Sequence, residues 1–578
     1  VDTLKQAATI PEEQEEDDDD ADFSESDPET TQPANTQSRT DSQITALHST
    51  AQITYGQQRS YVMEQNEDAI LEMMMEDITQ STAPAASQSQ REIDEELEDD
   101  SHQGQPRSVH ELRAAGAKKR LLHELESLVA GVEGEGFNSA SSSRSALLEL
   151  ASKLLEPPAV ACLLDHGLHR QLLPCFARSN DTVFNFLAAI CVSFLVQGTD
   201  NLSVLRKIHR SGFLPVLLEL LMVDEDISKV VRERRQNMSR IAQSSVLEFK
   251  DPVIASRLWT EDKPKILSPQ IVALRAIELL IRRMRELKHE DVLLDGESVV
   301  SLLTILQHQL TALEIDRLTS ELVLSVLESS SMCSSQGGRT PWTTKSFKLL
   351  VKALPHIMSA GRDSDRLRHL ALRLSLNLTN KNERASEIFA APAFIQSIMN
   401  LMIRDFAELL VESTEAEDSV LDELVLSLGA MINLTELSDK ARLCLLEGDG
   451  KALGQAVKIF QDGQARTVEV YHSYLTVGFA TALLTHSQAD SVEASRTNVP
   501  YGYLAVLLAN LCQNEEVKRA ILTTLPIPNF NGLIAVAEEF IRIHQQTDRE
   551  LSEGGEGAEV TNRLMTMVRR LKTLIVET

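Results

Sequence analysis

Few residues in this chain have the types and spacing that chemistry needs. The best metal candidate is Cys162-x3-His166-x2-His169-x5-Cys175, four potential ligands within fourteen residues. Metal knuckles set close ligand pairs on either side of a longer loop, and this spacing does not. The expectation is therefore a helix-turn-helix around Gly167 with core cysteines and no bound metal. There is no Gly-rich phosphate loop: Gly131–Gly136 lacks the Gly-Lys-Ser/Thr ending. There is no Gly-x-Ser-x-Gly elbow either. No catalytic residue and no cofactor is expected, and the chain reads as a non-enzyme. The side chains with the most interesting pattern are three asparagines, Asn377, Asn433 and Asn510. Each amide both donates and accepts, so it can clamp the backbone of an extended peptide in a groove. The same amide can instead bridge neighbouring repeats of its own fold. Amide chemistry alone leaves both readings open.

The asparagines belong to a repeated phrase. Each stands in an Asn-Leu pair that closes a Leu-rich run: Leu370–Leu378, Leu424–Leu434 and Leu504–Leu511. An apolar pair follows eleven and twelve residues after each: Ile388-Phe389, Cys444-Leu445 and Ile521-Leu522. A weaker copy puts Ser193-Phe194 in the Asn-Leu slot. A helical unit of this kind cannot bury its apolar face alone, so neighbours must stack. The fold expected is all-α: an irregular HEAT/armadillo-like α-α superhelical solenoid. Strict alternation of Leu370, Leu372, Leu374, Leu376 and Leu378 has the period of a strand. The equivalent run Leu504, Leu507, Leu508, Leu511 has helical spacing, and equivalent repeats should share a structure.

Charge divides the 578 residues unevenly. The formal net charge is -30, yet residues 1–107 hold 27 acidic and 5 basic side chains, leaving 59 acidic against 51 basic in the rest. Residues 1–107 read as a disordered acidic tail, too polar to offset the entropy of ordering. One island at 53–78 interrupts it: Tyr55, Gly56, Arg59, Ser60 and Tyr61, then Ile70, Met74 and Ile78 at helical spacing. Such an island suits a short peptide docked by a partner. Residues 108–578 read as the helical-repeat domain, opened by a capping box of Ser108 and Glu111. Gly131–Ser145 is expected as a loop, Thr485–Pro500 as a polar connection and Arg563–Val576 as a terminal helix.

An acidic chain should not bind nucleic acid through overall charge. Three basic clusters stand against that background: Lys118–Arg120, Arg232–Arg235 with Arg240, and Arg282-Arg283-Arg285 with Lys288. Each is expected to be a solvated helix face. The six cysteines sit mostly among apolar residues with no Cys-x-x-Cys, as buried thiols in a reducing compartment would. No apolar run reaches the length of a bilayer span, and no secretory signal opens the chain. A soluble intracellular protein is expected. The first residue is Val, as in a fragment or a processed chain.

The segment Ser108-Val109-His110-Glu111-Leu112-Arg113-x5-Lys119-Arg120-Leu121-Leu122-His123-Glu124-Leu125-Glu126 resembles the opening of the C-terminal domain of the Wapl (wings apart-like) family of cohesin-release proteins. The repeats that run to about residue 550 are similar to the rest of that domain. Tyr55-Gly56-x2-Arg59-Ser60-Tyr61 resembles a short tail motif of fungal members, and no Phe-Gly-Phe motif of the animal kind is present. The resemblance implies a nuclear, chromatin-associated, non-enzymatic regulator that helps release cohesin. It implies tail binding to a HEAT-repeat cohesin accessory protein. It also implies contact of the repeat domain with the cohesin ATPase heads, kleisin or HEAT-repeat subunit. It implies no small-molecule substrate, no membrane and no direct nucleic-acid contact. Two other readings compete on architecture: an armadillo-type scaffold or transport receptor for basic peptides, and a helical exchange factor. The asparagine intervals of 56 and 77 residues are too irregular for an even array of peptide clamps.

Overall fold

The computed structural model describes residues 109–133, 139–259, 262–289, 291–312, 316–332, 340–361, 364–409, 417–447, 450–476, 489–551 and 557–576. Regular structure among them is helical throughout, with no strand. The first stretch contains α1 (Val109–Glu133), α2 (Ser139–Lys153), α3 (Pro157–Asp165), α4 (His169–Phe176), α5 (Thr182–Gln197), α6 (Leu202–Arg210), α7 (Phe213–Leu220), α8 (Ile227–Val230) and α9 (Arg240–Ala255). The middle holds α10 (Pro269–Glu286), α11 (Gly296–Thr311), α12 (Arg317–Ser331), α13 (Thr344–Met358), α14 (Asp365–Thr379), α15 (Glu383–Phe389), α16 (Pro392–Leu409), α17 (Glu417–Leu437) and α18 (Asp439–Leu443). Then come α19 (Lys451–Thr476), α20 (Ala489–Leu511), α21 (Glu515–Thr524), α22 (Asn531–Leu551) and α23 (Gly557–Val576).

Local chemistry sets many of the helix starts. Asp181 caps α5 by accepting from the Val183 and Phe184 amides, and Asp295 caps α11 through Ser298. Ser268 caps α10 ahead of Pro269, whose missing N–H costs nothing at a helix start. Thr343 and Ser346 form a reciprocal capping box on α13. Each such cap contributes about 1 kcal/mol. In a chain of short helices these caps fix where one ends and the next begins.

The helices stack in two rows. One row runs α2–α5–α10–α12–α14–α17–α20–α22, each packed on the next. The second runs α11–α13–α16–α19 behind it. This is an α-α solenoid. Row position explains the composition of the inner members. Every residue of α5 from Val183 to Val196 is buried, because neighbours surround it. The same crowding resolves the leucine alternation: α14 is a helix, not a strand, and packs on α12, α17, α13 and α15. Its leucines therefore face several neighbours at once, and their spacing does not report one buried face.

Two expected connections are helical. Ser139–Ser145 forms the first half of α2, where Ser145 donates back to the Ser141 carbonyl and Arg144 pairs with Asp181 at 3.0 Å. Much of Thr485–Pro500 lies in α20, which begins at Ala489 and contains Pro500. Among the described residues, no single helix is long and apolar enough to cross a membrane. The Tyr55–Tyr61 island, the rest of residues 1–107 and Ser108 of the expected capping box lie outside the described residues.

Candidate partner-binding groove

The repeat asparagines form a ladder across the spine row. Asn377 on α14 donates from Nδ2 to Ser331 Oγ on α12 at 2.9 Å. Asn433 on α17 donates to the Leu376 carbonyl on α14 at 3.4 Å. Asn510 on α20 donates to the Ile432 carbonyl on α17 at 3.3 Å. The last two thus reach the carbonyl just before the preceding asparagine. The ladder is a set of inter-repeat bridges. Asn510 is 0 % exposed and cannot clamp a peptide, which corrects its place among the groove residues. The correction has a simple cause: α20 is covered by α22 and α23 as well as α17. Asn377 is exposed and Asn433 half-buried, and both line a pocket of about 300 Å³.

α23 lines one side of that pocket. Arg563 donates to Asn380 Oδ1 at 2.8 Å and to Asn433 Oδ1 at 3.5 Å, and it pairs with Glu436. Leu564 and Met567 are buried beside it. The terminal helix therefore occupies the position that a clamped peptide would take.

The other half of α14 faces an open trough of about 700 Å³ shared with α10 and α12. Arg366, Leu370, Arg373 and Asn377 make a stripe at helical spacing, so one edge of α14 serves both pockets. The trough is lined by five arginines (275, 282, 285, 366 and 373) against three glutamates (278, 286 and 328). Arg275 is buried, donating to the Leu258 carbonyl at 2.7 Å and to Glu278 at 2.9 Å. Burial lowers its pKa, Glu278 opposes that, and the charges of Arg282 and Arg366 lower it further. Arg282 bridges Glu278 at 2.6 Å and Glu286 at 2.9 Å, and Arg285 holds the Ser329 carbonyl at 2.9 Å. Burial pushes the Glu328 carboxyl up, against the pull of Arg373 and Ser329. Sequence reading saw Arg282, Arg283 and Arg285 as a solvated cluster. It missed Arg275, Arg366 and Arg373, which converge on the trough from two different helices.

Behind the trough, α14, α16 and α17 are locked by buried charge. Arg368 is 0 % exposed and pairs with Glu423 and Asp365. It also donates to the carbonyls of Ala360 at 2.9 Å and Gly361 at 2.6 Å. Arg404 reaches Glu423 at 2.7 Å and Asp405 at 2.9 Å. Burial, and then the neighbouring Glu423 charge, push the Asp405 carboxyl up to about 7.

The cysteine–histidine cluster is not assembled. Cys162 and His169 are buried, while His166 points outward. Among the described residues no group of three His, Cys, Asp or Glu is placed to hold a metal. All five described cysteines are free thiols.

The family model described as "Wings apart-like protein regulation of heterochromatin" matches residues 105–441. That is more than half of the chain. The chain belongs to the Wings apart-like family. The matched segment contains the whole arginine trough and α14, but not α20 or α23. Wings apart-like protein homolog 1 of Schizosaccharomyces pombe is 26 % identical over 256 residues. The match spans 41 % of this chain and only 40 % of that relative. Among solved structures, the Wpl1 protein is similar at a TM-score of 0.44 and 11 % identity, over 79 % of this chain and all of that one. An engineered protein is similar at a TM-score of 0.32 and 14 % identity, over 53 % of this chain and 97 % of that one.

Proposed function

We propose that this Wings apart-like chain is a non-enzymatic, nuclear regulator of cohesin that promotes its release from chromatin by bridging cohesin subunits. The observation that carries the reading is the family match over residues 105–441, which takes in the arginine-lined trough. A stacked helical array with a charged trough suits macromolecular docking. In this reading residues 108–578 form the repeat domain. It engages cohesin near the ATPase heads, kleisin or HEAT-repeat subunit. The island Tyr55, Gly56, Arg59, Ser60 and Tyr61 engages a HEAT-repeat cohesin accessory protein, with the tyrosines as buried anchors and Arg59 as a forked donor. Holding one subunit by the tail raises the local concentration of the second contact, to the order of millimolar for a short linker. The buried Asn510 and the uneven asparagine intervals disfavour the transport-receptor alternative.

The test is fluorescence recovery of tagged cohesin in cells lacking this protein. They are rescued with the whole chain or with a whole chain carrying Tyr55→Ala and Arg59→Ala. Longer cohesin residence on deletion, restored by the whole chain but not by the double variant, is the expected outcome. Unchanged residence on deletion would refute release. Full rescue by the double variant would refute bridging through the island.

A further inference from the structure

We infer that the trough over α10, α12 and α14 docks an acidic peptide segment of a partner protein, with carboxylates on its arginines and an apolar residue on its floor. The first support is shape. Ser325 and Ser329, the α12 serines that line the trough, are short, so the floor over this middle helix is low. Arg275 and Arg282 line one side from α10, and Arg366 and Arg373 the other from α14. Each pair is seven residues apart on its helix, about 10 Å along the axis. Adjacent packed helices lie about 8–10 Å apart. Crossing from α10 to α14 is then a path of roughly 16–20 Å, the reach of about five or six extended residues.

The second support is charge. Acidic residues outnumber basic ones 86 to 56 in the chain, yet the trough lining carries five guanidinium groups and three carboxylates, with Glu321 paired to Arg366 from outside that lining. Arg373 meets Glu328 at 3.7 Å and Arg366 meets Glu321 at 3.6 Å. Both arginines are about half exposed, at 50 % and 49 %, so their planar forks can turn to a carboxylate from outside.

The third support separates peptide from nucleic acid. Met332, 46 % exposed, and the buried Leu370 also line the trough. An apolar contact within reach of arginines matches a Leu or Phe among acidic residues. The inference goes beyond the cohesin reading and does not depend on it, because binding is measured on the purified chain alone.

The experiment is fluorescence anisotropy with the full chain and a labelled peptide of Asp and Glu flanking a central Leu. Its Asn/Gln counterpart and a labelled oligouridylate serve as comparators. Arg366→Glu with Arg373→Glu should weaken peptide binding on the order of tenfold to a hundredfold. Arg366→Gln with Arg373→Gln should weaken it less while leaving thermal melting unchanged, which separates binding from folding. A charge-matched control at the exposed Lys458 and Arg519, both changed to Glu, should leave affinity within about twofold. Equal loss in that control, equal binding of the neutral peptide, or absence of peptide binding would each overturn the inference. Tighter binding of the oligouridylate through the same two arginines would replace it with nucleic-acid recognition.

Discussion

Changing Arg368→Met tests whether buried charge ties the fifth and sixth members of the spine, α14 and α17, together. Met keeps much of the side chain's bulk and removes its charge and donors. Glu423, with a 3 % exposed side chain, and Asp405, at 0 %, are then left with Arg404 alone, itself 35 % exposed. The carbonyls of Ala360 and Gly361 lose their donor as well. Breaking a buried pair by removing one partner costs about 3–5 kcal/mol, because the remaining charge stays desolvated. In a stacked array the loss should be local, shared by the repeats that meet at Arg368. Hydrogen exchange with mass spectrometry reads this directly. Amides in α14, α16 and α17 that open together should exchange about a hundredfold to several thousandfold faster. Those in α5 should be unchanged. Arg368→Met combined with Glu423→Leu should recover most of the protection, since no unpaired carboxylate then remains at that position. Protection lost by less than about tenfold in the single variant would refute the argument. A double variant worse than the single would refute it too.

The same cluster predicts a pH effect of unusual sign. Asp405 has its carboxyl raised from 3.8 to about 7, so the folded state holds its proton more tightly than the unfolded chain. Its ionisation therefore opposes folding: the penalty is absent below the unfolded value, grows as pH rises, and is complete above about 7. Asp405→Asn should flatten denaturant midpoints between pH 5 and pH 7.5, where the native chain loses stability; an unaltered slope would refute this. The asparagine ladder predicts a contrast. Asn510→Ala, at a buried bridge that also accepts from Gln513 at 2.8 Å, should cost about 1–3 kcal/mol, and the exposed Asn377→Ala under about 0.5 kcal/mol, by thermal or chemical melting.

The phrase that made the fold legible is the same one that builds the ladder. Helical spacing around Leu504–Leu511 and the apolar pairs after each asparagine are local, so α14, α17 and α20 could be read from sequence. Serine-rich Ser139–Ser145 could not, because its helix is stabilised by Arg144 reaching Asp181, well beyond any local window. Polar residues 489–500 were hidden likewise, since a helix start without a strong apolar stripe looks like a connection. The trough was illegible for a related reason. Arg275 and Arg373 stand 98 positions apart, and only stacking brings them to one pocket. Two of the three basic clusters need no more than solvent: Lys118–Arg120 is exposed, and Arg235 pairs with nearby Glu233.

On the Asn377 side of α14, part of the groove surface is already taken by the chain's own α23. Arg563 is seated on Asn380, Asn433 and Glu436, and Leu564 and Met567 are buried beside it. No residue of α23 lines the trough, so a ligand there is limited only if it runs along α14 toward Asn377. Clearing that second pocket for it would expose Leu564 and Met567 to water.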